Sequence, residues 1–161
     1  MPTENNQNTT LVLYRIKVPE WHNVTERQRE LIANMIVKGG WRIVGQRRRG
    51  FLNCERQGNV VFGYFAHEGA LDVEQYDDQQ QPRSEEQSSF ERMLFLLFLD
   101  EGLILAQSMR VYHYRDLTGP KMRDALFSEL EVALKDVGMS FPRISLERYR
   151  EERTSTSPLT F

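Results

Sequence analysis

The chain has 161 residues, a formal net charge of −2 and a single cysteine, Cys54. A chain of this length buries about two-thirds of its unfolded surface, so it needs no disulfide or metal to hold a core, and one cysteine excludes an internal disulfide. The near-neutral charge excludes a general attraction to nucleic acids or anionic lipids, but it leaves room for a local basic patch.

Both ends of the chain are polar. The start, MPTENNQNTT, lacks the basic and apolar segments of a signal peptide, so we expect a cytoplasmic protein with a disordered leader over residues 1–9. We expect one domain over residues 10–150 and a flexible tail over residues 151–161. The apolar run Met93 to Leu99 is far shorter than the roughly 20 residues that cross a bilayer, so no membrane association is expected.

The first half of the chain alternates between strand and helix patterns. Leu11 to Val18 has the two-residue alternation of a strand, and Asn23 or Thr25 is placed to cap a helix that Gly39 and Gly40 end. A turn at residues 57–59 separates two of the strands that come next. The predicted strands are a second strand that starts at Trp41–Val44 and continues after the arginines through Phe51–Glu55, a third strand, Val60–Ala66, and a short edge strand, Leu71–Tyr76.

The segment over residues 77–89 reads DDQQQPRSEEQSS and has no apolar residue except proline. Such a composition is typical of a loop that cannot pack, so we predict an acidic, Gln-rich mobile loop within the domain.

Two dense apolar runs come next, in the stretch FERMLFLLFLDEGLILAQSMRV over residues 90–111. Asp100-Glu101-Gly102 between them predicts a hairpin turn, because glycine supplies the positive φ that tight turns need. Neither run alternates cleanly with polar residues, so we expect both faces of the hairpin to be covered near the turn.

The second half ends in a helix and a strand. Thr118-Gly119-Pro120 predicts a helix start, and Gly138 predicts its end. Met139 to Leu146 predicts a last strand, which Pro142 places at a sheet edge. We therefore predict an α+β fold, with two helices on an antiparallel sheet of six to seven strands, loosely ferredoxin-like with extra hairpin strands.

The strongest candidate binding site is a basic segment. Residues 41–58 contain five arginines and one acid, a net charge of +4. We expect a glycine-bracketed loop to present guanidinium groups to phosphates or carboxylates beside stacking aromatic rings, unless the arginines pair with the protein's own acids. The candidate residues for binding an anion or nucleic acid are Arg42, Arg47, Arg48, Arg49, Arg56, Trp41, Phe51 and Tyr112.

The acidic stretch over residues 67–91 carries a net charge of −7 and is the second candidate surface. It is placed either to shield the arginines, to bind a basic partner or only to keep the chain soluble. The final phenylalanine is a further anchor for a partner groove. The candidate partner contacts are Asp77, Asp78, Glu85, Glu86 and Phe161.

Catalytic and metal motifs are weak. The histidines His22, His67 and His113 are scattered, and no nucleophile, phosphate-loop or dinucleotide motif is present. We therefore expect no cofactor and no metal. The first hypothesis is a non-catalytic interaction module, an accessory or regulatory subunit that binds a protein partner or its own copy. The alternative is RNA or single-stranded DNA binding through Arg47–Arg49, and a remote one is a metal-dependent phosphodiesterase that uses His67, Glu68, Asp72 and Glu74.

Overall fold

The computed structural model describes residues 9–76 and 78–149, without the side chains of residues 74, 75 and 83–85. This part of the chain forms two helices and seven strands, which confirms the predicted α+β fold. The helices are α1 (Glu26–Lys38) and α2 (Gly119–Asp136). The strands are β1 (Leu11–Val18), β2 (Gly40–Val44), β3 (Arg47–Gln57), β4 (Val60–Tyr76), β5 (Pro82–Phe98), β6 (Leu103–Gln107) and β7 (Ser145–Arg148).

The strands form one open sheet in the order β2-β3-β4-β5-β6-β1-β7, and every neighbouring pair is antiparallel. Four strands separate β1 from β2, the strands that flank α1. A split β-α-β unit would place these two strands parallel to each other with one strand between them. The ferredoxin-like detail of the prediction is therefore not confirmed.

The start of α1 lies where the sequence predicts it. Thr25 caps α1: its side chain accepts from the Gln28 N–H, and the Gln28 side chain accepts from the Thr25 N–H, which completes a capping box. Between β2 and β3, Gly45 and Gln46 have φ values of 57° and 68°, the conformation of a two-residue hairpin turn. The arginines come directly after this turn as the start of β3, so the predicted arginine loop is wrong.

β4 and β5 form a long hairpin that differs from the prediction. They pair continuously from Val60↔Phe98 to Tyr76↔Pro82, so the predicted edge strand over residues 71–76 is the continuation of β4. The predicted loop over residues 77–89 is a strand from Pro82 onward. Pairing along a neighbouring strand satisfies the backbone of this polar segment without a core, and composition does not record such pairing.

The turn at Asp100-Glu101-Gly102 is confirmed between β5 and β6. Gly102 has a φ of +65°, and a Cβ there would lie 2.4 Å from the Trp21 ring, so a larger residue does not fit. The Trp21 indole N–H donates to the Leu99 carbonyl oxygen. The turn is thus held against the segment that leads into α1.

The second half agrees with the prediction but has shorter strands. Thr118 caps α2 through its side chain, which accepts from the Lys121 N–H, and the helix ends just before Gly138. β6 ends at Gln107, and the last strand begins at Ser145, six residues later than predicted. β7 is an edge strand, as predicted, and Pro142 lies before its first residue.

The core lies on one side of the sheet, which we call the helix face. Residues that pair in antiparallel register share a face, and Leu97 with Ile104 and Phe65 with Met93 are such pairs. All four belong to one buried cluster that also contains Ile32, Ile36, Leu126 and Leu130 of the two helices. Both helices therefore cover the same face.

Candidate functional site

The arginine segment lies in a strand, so its side chains alternate between the two faces. Arg47 and Arg49 share the helix face, and Arg48 points to the opposite face. The three guanidinium groups therefore do not form one basic patch. Each binds a different carboxylate or pair of carboxylates of the same chain.

Arg42 and Arg49 share Glu129 on α2. Nη2 of Arg42 donates to Oε1 of Glu129 at 2.6 Å, and Nε of Arg49 donates to the same oxygen at 2.7 Å. The Glu129 side chain is 8% exposed. Two charge-assisted hydrogen bonds at one buried carboxylate fix α2 against β2 and β3. This arrangement is structural, because it leaves the carboxylate almost no access to solvent.

Arg47 joins β3 to the segment before α2. Its Nε donates to Oδ2 of Asp116 at 2.7 Å, and its Nη2 donates to Oε1 of Glu86 at 3.2 Å. Burial raises the pKa of Asp116, but hydrogen bonds from the Ala70 N–H and from Arg47 outweigh it and lower that pKa overall. Glu86 also pairs with Arg115 at 3.0 Å. Glu86 of the predicted acidic stretch therefore pairs with two arginines at the protein surface.

Arg48 lies on the opposite face and binds Glu68. Its Nη2 donates to Oε2 of Glu68 at 2.9 Å, and this hydrogen bonding holds the pKa of the Glu68 carboxyl below its usual value. The Arg48 guanidinium also lies 5.0 Å from the centre of the Phe90 ring, which in turn lies 4.9 Å from the Trp41 ring. We call Trp41, Arg48 and Phe90 the Trp41 cluster. Trp41 is 49% exposed.

The other predicted binding residues are scattered. Arg56 pairs with Glu30 of α1 at 2.7 Å. Phe51 packs on Phe65 and Phe95, with ring centres 6.0 and 5.4 Å apart, so it belongs to the helix-face packing and offers no stacking surface. Tyr112 is 76% exposed and lies between β6 and α2, outside the helices and strands.

The predicted partner contacts fall mostly at the far end of the β4–β5 hairpin. Asp78 is exposed, and Glu86 is exposed and paired with Arg47 and Arg115. Asp77, Phe161 and the side chain of Glu85 lie outside the described residues. No partner surface is assembled from these residues in the described part of the chain.

The residues predicted as remote metal candidates do not converge on one site. His67 and Glu68 are adjacent in β4 and therefore lie on opposite faces, and burial lowers the pKa of His67. Among the described residues, no group of three or more histidine, cysteine or acidic side chains is placed to hold a metal ion. Burial raises the pKa of Cys54 to about 11, so its thiol is protonated at neutral pH.

The other side of the sheet is a second surface, which we call the open face. Sequence reasoning located it only in part. Three rows of register partners cross five strands there, and the central row is Glu55, Phe62, Leu96, Leu105 and Leu13. Its apolar side chains come from β3, β4, β5, β6 and β1. They are Leu11, Leu13, Leu52, Val60, Phe62, Tyr64, Leu94, Leu96, Phe98, Leu103 and Leu105.

No described element covers the open face. None of its residues belongs to the buried cluster or to the apolar residues packed against that cluster. Leu96 and Phe98 are half-buried, whereas Phe95 and Leu97 are 0% and 1% exposed. The expectation that both faces of the central hairpin are covered is therefore met on one face only within the described residues.

The carboxylates that bind the arginines also escaped sequence reasoning. Glu129 had a detectable signal, because it stands four residues after Ala125 and four before Ala133, on the apolar stripe of α2. A charge on such a stripe indicates a buried ion pair. Nothing in the local sequence of Glu68 or Asp116 indicates its partner, since each lies 20 or more residues away from it in the chain.

Comparisons with protein-family models, with curated proteins and with solved structures gave no match for this chain. No helix in residues 9–76 and 78–149 is long and apolar enough to cross a membrane. The function of the chain must therefore be inferred from the geometry of its own residues.

Proposed function

We propose that this chain is a non-catalytic protein–protein interaction module, an accessory or regulatory subunit of a cytoplasmic assembly, and that it binds through the open face. The observation that carries the proposal is the uncovered row of Phe62, Leu96, Leu105 and Leu13, with apolar rows on both sides. An antiparallel sheet with one solvated face normally alternates apolar and polar residues. Here most positions of this face are apolar on β4, β5, β6 and β1, with Glu55, Gln57, Gln107 and Arg15 as the polar members of its rows, which favours a surface that is covered in the working protein.

The surroundings of the open face agree with an interface. Arg92 lies 5.2 Å from the centre of the Tyr64 ring, and the Trp41 cluster adjoins the apolar rows at the β2 edge. Aromatic residues and arginine are enriched among the interface residues that contribute most to binding energy. Charged residues are common at the rim of an interface. The free thiol of Cys54 is compatible with the reducing cytoplasm.

The nucleic-acid hypothesis has no supporting observation of this kind. Arg42, Arg47, Arg48, Arg49 and Arg56 each bind a carboxylate of the same chain, and binding of phosphate would have to break those pairs. It stays a prediction from the sequence. Steep salt dependence of oligonucleotide binding is the measurement that would revive it.

Hydroxyl-radical footprinting tests the proposed function, since oxidation of leucine and phenylalanine reports their solvent contact. The chain is labelled in its assembly, purified from cells that carry its gene, and again as a dilute isolated protein. We expect Leu96 and Phe98 to be oxidised several-fold less in the assembly, with exposed Tyr112 as the reference. Equal oxidation of Leu96 in both samples would contradict the proposal.

A matched pair of variants gives the second readout. Leu96→Asp places a charge in the middle of the open face, and Gln87→Asp places the same charge at an exposed position further along β5. Both variants should fold, as circular dichroism will show, because neither residue belongs to the buried cluster. Only Leu96→Asp should lose the assembly.

A further inference from the structure

We propose that a second copy of this chain covers the open face, so that two sheets pack face to face about a two-fold axis. This inference rests on the proposed function and names the partner of the same surface. Stacked sheets pack about 10 Å apart, with strand directions within about 30° of each other, and most protein dimers are two-fold symmetric. Three observations favour a copy of the chain over an unrelated protein.

The first observation is the symmetry of the apolar rows. The open face spans β3, β4, β5, β6 and β1, so β5 is its central strand with two strands on each side. A two-fold axis parallel to β5 places β1 of one copy over β3 of the other. Over β4, β5 and β6 most of the facing residues are then apolar, such as Phe62 over Leu105 and Leu96 over its own copy, whereas Glu55 and Gln57 of β3 lie over Leu13 and Arg15 of β1.

The second observation is a pair of unpartnered charges on opposite borders. Arg15 on β1 is in register with Leu103, and Glu55 on β3 is in register with Phe62, so both share the open face. Both are exposed, and neither has an ion-pair partner among the described residues; Glu147, the neighbour of Arg15 on β7, pairs with Lys17 at 3.4 Å.

The same two-fold axis brings Arg15 of each copy towards Glu55 of the other. The two positions differ by one row along the strands, about 7 Å, which is within the reach of an arginine side chain. The dimer would therefore form two identical ion pairs on its rim. A rim charge pair selects the partner and its orientation more than it adds affinity.

The third observation is the area. Five strands spaced by about 4.8 Å and three rows spaced by about 6.6 Å give a footprint of about 480 Å² on each copy. Two facing copies cover about 960 Å², which already includes the polar positions Arg15, Glu55, Gln57 and Gln107 and is close to the lower limit for a specific interface. The adjoining Trp41 cluster extends this area.

Sedimentation velocity of the purified full chain over about 1–300 μM tests the proposal. We expect the wild type to pass from monomer to dimer with concentration. Arg15→Glu and Glu55→Arg should each weaken the dimer about tenfold, because each places like charges together twice, and the double variant should return to within about threefold of the wild type. Arg27→Glu, an exposed change of the same charge on α1, should leave the dimer unchanged.

Two results would overturn the second copy as the occupant. One is a wild type that stays monomeric over the whole range, and the other is a double variant no better than the single ones. If Leu96 is nevertheless protected in the cellular assembly, another protein covers the open face and the proposed function stands. If Leu96 is also unprotected there, both proposals fail.

Discussion

The two faces of the sheet are built from similar residues in opposite surroundings. Along β5, Met93, Phe95 and Leu97 point to the helix face and are 1% exposed or less, whereas Leu94, Leu96 and Phe98 point to the open face and remain half-buried. Both sets are large and apolar, so the elements that cover the helix face account for the difference in burial. An apolar surface that the described part of the chain leaves uncovered supports the proposed interface.

The faces also differ in how they hold charges. On the helix face Glu129 is enclosed by Arg42 and Arg49, so the charges fix the fold. On the border of the open face Arg15 and Glu55 stand without ion-pair partners in the described part of the chain. The open face also holds a paired buried carboxylate, Glu68 with Arg48, so the contrast is between these paired charges and the unpartnered charges on the border of the open face.

The largest expected effect is the difference in unfolding free energy between alanine variants of two neighbouring leucines. Leu97→Ala should lower the free energy of unfolding by about 2–5 kcal/mol, since it leaves a cavity among fully buried residues. Leu96→Ala should cost about 1 kcal/mol or less in the monomer, because the half-exposed site leaves no closed cavity. Urea unfolding at low micromolar concentration measures both. Equal losses would mean that the open face is already covered within one chain.

Substitution of Glu129 tests how much its buried contacts with two arginines contribute to stability. Glu129→Gln removes the acceptor charge for Arg42 and Arg49 and should cost about 2–3 kcal/mol, the range for hydrogen bonds to charged groups. The matched change Glu55→Gln on the open face should leave monomer unfolding within about 0.5 kcal/mol of the wild type. Thermal unfolding of the two variants under the same conditions decides the point, and similar losses would show that the Glu129 contacts contribute little.

The pH dependence of stability distinguishes the contributions of His67 and Glu68, two adjacent residues on opposite faces. The pKa of His67 is lowered by burial, so the folded state binds fewer protons than the unfolded state and its stability falls as the pH drops below about 6.5. The pKa of Glu68 is lowered by Arg48, so a second loss occurs below about pH 4.3, the unfolded value. His67→Gln should flatten the first decline and Glu68→Gln the second. Unchanged profiles would contradict these assignments.

The last prediction concerns the chemical reactivity of the single cysteine, Cys54. Cys54 packs behind Gly63 on the helix face, and its pKa of about 11 keeps the thiolate scarce at neutral pH. A disulfide reagent should therefore react with the native chain orders of magnitude more slowly than with the urea-unfolded chain. Reaction at the rate of a free thiol in the native state would show that this part of the helix face opens readily.

The sequence predicts the helices, most strands and the hairpin turn because each has a local signal: Thr25 and Thr118 as caps, Gly102 in a turn, and Pro142 before an edge strand. It misses the strand over residues 82–89 because that segment is held by backbone pairing with β4. It misplaces the arginines in a loop because the short turn at Gly45 and Gln46 leaves all three inside β3.

The candidate site is predictable only in outline. Two apolar hairpin runs indicate that both faces need a cover, but the residues that cover one face lie far away in sequence, in α1 and α2. The partners of the arginines are equally distant, as with Glu129 and Arg42, 87 residues apart. Long-range pairing of this kind leaves no periodic trace in a single sequence.

The central claim is that the open face is the contact between two copies, and crosslinking at its central strand tests it most directly. Leu96→Cys places a thiol on β5 beside the proposed axis, and Gln87→Cys places one at an exposed position of the same strand. With a short bismaleimide at a concentration where the wild type sediments as a dimer, Leu96→Cys should form a covalent dimer. Leu96→Cys that crosslinks no faster than Gln87→Cys would contradict the claim.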